Sequence, residues 1–176
     1  LEGAIYPIGD MNHDLAECPV NLQGGLFASA NIAVRRDSFR TLQGFDERYS
    51  FWCEDQDFLA RLGGRTSVPF VAEARVGHPV RVLQLRHVLK RIPKQVRATA
   101  LYYAQNARRL GVMRFTTLIR WLYKPRLVGF LDHAFHFRLR SALVESLWLI
   151  WGNALILREY VQIAGRRRHP AARLVD

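Results

Sequence analysis

Trp52-Cys53-Glu54-Asp55-Gln56-Asp57-Phe58 is the stretch on which the reading of this chain turns. Three carboxylates fall within residues 54–57, and Leu59, Arg61, Leu62 and the pair Gly63-Gly64 follow. Phe58, Leu59 and Leu62 recur at helical spacing, which predicts a helix from near Glu54 to Leu62, ended by the glycines. Asp55 stands three, four and seven residues before those apolar positions and so shares their face. A carboxylate on the buried face of a first turn is costly without a partner. Asp55 is therefore the candidate general base. Asp57 stands four before Arg61 and is expected to pair with it on the surface, as a structural residue. The same cluster also reads as an acidic helix start favoured by the macrodipole. Trp52 reads either as a stacking surface for a sugar ring or as a core residue.

Working outward, residues 1–22 read as loop, with Pro7, Gly9, Asp10, Asn12 and Pro19 as breakers. Leu26 to Val34 is short, uncharged and rich in small residues, which predicts a strand buried on both faces. Asp37 is placed to N-cap a short helix to about Leu42, with Gly44 as its stop and Phe45-Asp46-Glu47 as a turn. Residues 66–76 read as extended and end at Gly77-His78-Pro79; a lone histidine there is either a ligand or a loop residue. Beyond residue 80 the pattern is helical: 83–110, interrupted at Pro93, then 113–123, then a long aromatic stretch over 130–164. The longest uncharged run in that last stretch, Ser146–Leu157, has twelve residues, short of the roughly 20 that a spanning helix needs. Glu145 breaks the wider run, so an interfacial or packed helix is expected over 142–164.

Charge divides the chain in two. Residues 1–80 carry seven Arg and no Lys against eleven acids, a net of −4, and residues 81–176 carry nineteen bases against four acids, a net of +15. Acids gathered near a site suit a metal or acid–base chemistry, and a basic tract suits phosphates of nucleic acid or lipid. The length of 176 residues fits about one domain, and 49% hydrophobic residues suffice for a core. That composition excludes disorder and low complexity. Two cysteines, Cys18 and Cys53, are too few for a disulfide scaffold and read as reduced thiols of a cytosolic protein. No leader segment is read at the start.

The pieces also come in a telling order. Ala30-Asn31-Ile32-Ala33-Val34-Arg35-Arg36 is followed by Gly44-Phe45-Asp46-Glu47, then by the acidic stretch, by Arg61-Leu62, and by Val68-Pro69 through Val76-Gly77-His78-Pro79. Over about residues 22–81 this resembles the C-terminal half of the catalytic domain of family 2 glycosyltransferases. The resemblance implies a GT-A fold and inverting sugar transfer from a nucleotide-sugar. It implies that Asp55, in the ED pair with Glu54, deprotonates the acceptor hydroxyl. It implies that Trp52 lines the acceptor site, with Asn31 on the same side. It implies that His78 contacts a metal–diphosphate region holding a divalent cation, Mg or Mn. The family's nucleotide-binding strands do not occur here, and no Asp-x-Asp pair follows a strand before residue 54, so the chain is expected to be part of a larger enzyme and inactive alone.

The fold expected is thus α/β, a partial Rossmann-like GT-A domain over 1–80, followed by a basic, mostly helical region over 81–176. The function expected is transfer of a sugar to a glycan or lipid-linked acceptor in bacterial surface polysaccharide or glycolipid synthesis. The basic region, with Trp121, Trp148 and Trp151 for the headgroup zone, is expected to hold the protein on an anionic membrane surface, peripheral to the cytoplasmic face. The alternative is a membrane- or nucleic-acid-binding module without catalysis. Interleaved aromatics suit single-stranded nucleic acid, but here they fall on apolar helical stripes, so no nucleic-acid partner is expected. A glycoside hydrolase needs two acids ~5–10 Å apart flanking one bond, which adjacent Glu54 and Asp55 do not readily supply.

Overall fold

A computed structural model of the chain describes residues 1–63, 68–107 and 115–168. It is a mixed α/β structure with a small parallel sheet and a helical second half. In chain order the elements are β1 (Glu2–Ile8), β2 (Ala16–Glu17), a 3₁₀ turn (Ser29–Asn31), α1 (Arg36–Thr41) and α2 (Glu54–Arg61). Then come β3 (Phe70–Pro79), β4 (Arg81–Val82), α3 (Leu85–Asn106), α4 (Phe115–Phe135), α5 (Leu139–Leu147), a π turn (Trp148–Gly152) and α6 (Asn153–Arg168).

The first correction falls on residues 1–22, which are not all loop. Residues 2–5 of β1 are buried, and β1 pairs in parallel with β3 from Glu2↔Phe70 to Ile8↔Pro79. Pro7 and Gly9 punctuate the end of this strand rather than forbidding it. Gly3 stands where backbones approach closely: a Cβ there would lie 2.4 Å from both the Ala74 oxygen and the Asn31 amide. Beside it the register shifts between Gly3 and Ala4. Asn31 spans the irregularity, its amide donating to Ala4 O at 3.0 Å and to Ala74 O at 2.8 Å. Glu2 is 2% exposed and is satisfied as a buried carboxylate must be. It accepts from Asn21 Nδ2 at 3.0 Å, from the Phe27 N–H at 2.7 Å and from the Gly25 N–H. One carboxylate thus gathers the loop over 21–27.

The second correction falls on Leu26–Val34, where a strand buried on both faces was expected. This segment makes only an isolated bridge, Glu2↔Ile32, and the 3₁₀ turn. Phe27 takes a φ of +48°, which drops its ring onto Phe58 at 6.5 Å; the left-handed residue interrupts any strand. α1 begins at Arg36, so Asp37 lies inside its first turn rather than at the cap. Gly44, at φ +67°, closes the turn beneath Phe39. Phe27, Phe58 and Leu59 form the core of this half, with Ile32, Val34, Leu42, Leu62 and Val68 around it.

The second half is built on Val96, Ala100, Tyr103, Leu118, Leu122, Val144, Trp148 and Ile156, and Leu15 reaches into it from the first half. α3 runs through Pro93 without a break, and α4 runs through Pro125. An interior proline costs roughly 3 kcal/mol. In α3 that cost is offset by the apolar face Val96, Ala100 and Tyr103, a few residues on. α4 extends twelve residues past the stretch ending at 123 that periodicity had marked. The reason is that Pro125 interrupts the pattern and the apolar residues beyond it, Leu127, Val128, Leu131 and Phe135, are exposed rather than on the core side. Trp148 is buried rather than presented to headgroups, Trp151 is exposed, and the side chain of Trp121 lies outside the described residues. Among the described residues, no helix is long and apolar enough to cross a membrane.

Candidate functional site

α2 carries the acidic cluster, and it is covered on two sides. One side packs Phe58 and Leu59 into the aromatic core, where Phe39 and Phe45 approach Phe58 at 5.5 and 5.2 Å. The opposite side carries Asp57, which is 1% exposed. The expected Asp57–Arg61 pair forms, Arg61 Nε donating at 2.7 Å, but it is not a surface pair. The last turn of α3 covers it, with Asn106 Nδ2 donating to Asp57 at 2.9 Å. The Tyr49 hydroxyl donates to Asp57 as well, at 3.4 Å, and burial pushes the Tyr49 phenol well above its usual range. Arg61 donates onward to Leu42 O at 2.6 Å and Gly44 O at 2.8 Å. It thereby holds the Gly44-Phe45-Asp46 turn against α2. The deeply buried carboxylate of this helix is therefore Asp57, and its role is architectural.

Asp55 lies on the apolar azimuth, as expected, but one turn before the core closes, so it is half-buried at the rim. Its Oδ1 accepts the Gln56 N–H at 2.8 Å and its Oδ2 the Ser29 N–H at 3.2 Å. Gln56 Nε2 donates to Leu26 O at 2.5 Å, so the first turn of α2 rests on the 26–29 segment. A carboxylate offers about four lone-pair positions, and these bonds leave Asp55 with capacity for another donor. Glu54 Oε2 is buried and has no hydrogen-bond partner among the described residues. Such an atom calls for an explanation, and a ligand donor is one. Immediately before them Cys53 adopts φ +68°. A non-glycine residue there stores strain of order 1–3 kcal/mol, a feature that clusters at functional sites. Burial pushes the Cys53 thiol up to about 12, against a hydrogen bond with Thr99 that lowers it. It is thus a protonated anchor to α3 and no nucleophile at neutral pH.

Trp52 is 41% exposed and stands where the two halves of the chain meet. It lines two cavities. One, of about 190 Å³, lies against Glu17, Arg91, Arg126, Glu145 and Trp148. The other, of about 260 Å³, lies against Cys53, Tyr102, Tyr103, Arg126 and Trp148. Arg126 stacks over the Trp148 ring at 4.4 Å and donates to Glu145 Oε1 at 3.2 Å. Arg91 stacks over Phe51 at 5.2 Å and donates to Glu17 at 2.8 Å. Such stacked ion pairs present donors and acceptors together, the combination that vicinal hydroxyls need. Sequence reading did not name Glu17, Arg91 or Arg126, and it assigned Glu145 and Trp148 to the membrane-side region rather than to a cleft. Arg126 and Glu145 are nineteen residues apart on different helices, a relation that no local period reveals.

Asn31 and His78 lie elsewhere. Asn31 clamps β1 to β3, as described above. His78 Nδ1 is 3.7 Å from Cys18 Sγ and 3.1 Å from Pro79 O. Burial raises the Cys18 thiol above its usual value. The bonds around His78 and those around Asp55 share no residue. Among the described residues no group of three His, Cys, Asp or Glu side chains is placed to hold a metal ion. Compared with known proteins, the chain matches no family model, no curated protein and no solved structure.

Proposed function

We propose that this chain carries the acceptor side of an inverting glycosyltransferase that moves a sugar from a nucleotide-sugar to a hydroxyl of a glycan or lipid-linked acceptor. What supports the reading is a rim carboxylate, Asp55, three residues along the chain from the exposed indole of Trp52, which lines a polar, aromatic-walled cleft. In this reading Trp52 takes the face of an acceptor ring, and the Arg126–Glu145 pair takes its hydroxyls. Asp55 accepts the proton of the attacking hydroxyl as the oxygen bonds to the anomeric carbon. The bond to the nucleoside diphosphate breaks on the opposite face, the electron pair leaves with that phosphate, and configuration inverts. The expected Mg or Mn would need ligands beyond His78, and no step here runs through it. The basic helical region keeps this chemistry on the cytoplasmic face of a membrane, where a lipid-linked acceptor would be presented.

The test is turnover in the enzyme that also carries the donor-binding half. Asp55→Asn should lower kcat by about 10²-fold or more while donor binding persists, since a positioned base contributes roughly 10²–10⁴. Near-normal turnover would remove Asp55 from the reaction and leave Glu54 as the next candidate. The second reading, a membrane-binding module without catalysis, is favoured by the exposed apolar surface of the second half.

A further inference from the structure

The second half buries one side of α4 and leaves the other bare. Leu118 and Leu122 face the core, and Arg126 meets Trp148 and Glu145 on that side. The opposite side carries Arg120, Lys124, Leu127, Val128, Leu131 and Phe135, which fall within about 100° of one another at 3.6 residues per turn. All six are exposed. Along this stripe the chemistry changes: it is cationic at Arg120 and Lys124 and wholly apolar from Leu127 onward. The apolar part continues round the corner into α5. Phe135, Phe137 and Leu139 are 80%, 86% and 71% exposed, and Leu143 extends the surface along α5.

The corner is built firmly. Phe137 sits at φ +55°, a strained conformation for an aromatic residue. The Arg138 N–H donates to His133 O at 2.8 Å, and the Arg138 side chain donates to Asp132 at 2.5 Å. His136 lies 3.3 Å from the other Asp132 oxygen. A carboxylate and its partners thus hold two phenylalanines out in the open, where they bury little of their surface. A contiguous exposed apolar surface of this kind marks an interaction site.

We propose that the α4–α5 corner is a wedge that enters the interface of an anionic phospholipid bilayer. This rests on the membrane-side placement proposed above and specifies the element that makes it. The axial order of the stripe selects lipid over a protein partner. Lys124 lies about 10 Å up the helix from Leu131 and about 16 Å from Phe135. An apolar tip set roughly 5–10 Å into the headgroup–acyl boundary puts Lys124 and Arg120 beside the phosphates. Arg140, exposed on the first turn of α5, adds a third cation near the corner. No described helix is long and apolar enough to span the bilayer, so the geometry is that of insertion from one side.

The test is flotation of the 176-residue chain with vesicles of phosphatidylcholine containing 0 or about 30% phosphatidylglycerol, at low and high salt. The chain should float with the anionic vesicles, less at high salt. The F135S/F137S/L139S variant should bind at least about tenfold more weakly than the parent. Lys124→Glu with Arg120→Glu should remove the preference for anionic lipid. Phe137→Gly separates lipid contact from folding, because glycine relieves the positive φ while deleting the ring. It should bind more weakly with an undiminished Tm. If the chain floats but the triple variant and F137G float equally well, the wedge is overturned and peripheral attachment stands. If the parent floats with no vesicle at low salt, both fail. If it instead forms a dimer that these substitutions dissolve, the surface serves a second copy and the wedge is overturned.

Discussion

Asp57 and Asp46 show how much the acidic segment invests in holding itself together. Asp57 joins α2 to α3 through Asn106, and through Arg61 it fixes the Gly44 turn. Removing one partner of a buried pair leaves the other charge uncompensated, at about 3–5 kcal/mol. Asp57→Ala should therefore cost that much in urea unfolding, whereas Asp55→Asn should leave the midpoint nearly unchanged. Asp46 accepts hydrogen bonds from Arg48, which lower its carboxyl from 3.8 to about 2. A lowered carboxyl stabilises the fold above its unfolded value and loses that contribution as pH falls from about 4 to about 2. Arg48 is 62% exposed, so screening limits the effect to about 1 kcal/mol. Asp46→Asn should flatten the acid limb of the stability curve across that window by this amount. Both predictions concern residues whose type and spacing were plain in the sequence. The Asp57–Arg61 partnership was readable from its i,i+4 spacing; its burial was not, because the residue that covers it, Asn106, is 49 positions away.

At the level of elements, α2 was legible almost to the residue, since its apolar spacing and its glycine stop agree. β1 was not. Its seven residues hold Glu2, Gly3 and Pro7, all weak strand formers, and what makes it a strand is burial beside β3. Leu26–Val34 failed in the opposite direction: its composition favours a strand, and the positive φ of Phe27 overrules it. The helices of the second half were recognised as helices, but their ends were obscured by prolines that do not break them. The π turn over Trp148–Gly152 had no signal beyond Gly152 itself. A Cβ on Gly152 would lie 2.3 Å from the Trp148 ring. Alanine usually gains about 1 kcal/mol over glycine inside a helix, yet overpacking costs about 1–3. Gly152→Ala should therefore lower thermal stability. It should also disturb the Arg126–Trp148 stack, which the intrinsic fluorescence of the tryptophans reports.

Across the whole molecule, the candidate cleft exists only because the two halves are sewn together. Asp14 accepts from the backbone N–H groups of Arg140 and Ser141, each at 2.9 Å. Glu17 meets Arg91, and Asp57 meets Asn106. A division at residue 80 follows the charge asymmetry of the chain, and these bonds cross it. The acidic segment was readable as a site, and Trp52 as its neighbour. The wall opposite them comes from helices that had been read as a separate basic region, so half of the cleft was invisible in the sequence.

The three donors gathered by Glu2 carry a consequence for the order in which the chain acquires its structure. The contacts of α4 with α5 close short loops, whereas β1 reaches β3 across 68 residues at Glu2↔Phe70. Long closures are slow because their entropic cost precedes their reward. The loop bound to Glu2 is organised only once β1 is seated, and Ser29, which supports Asp55, follows that loop. In a pulse-labelled refolding experiment the amides of α4 and α5 should be protected before those of Phe27 and Ser29. The carboxylate poised for chemistry would then be assembled late, on a scaffold of helices that folded without it.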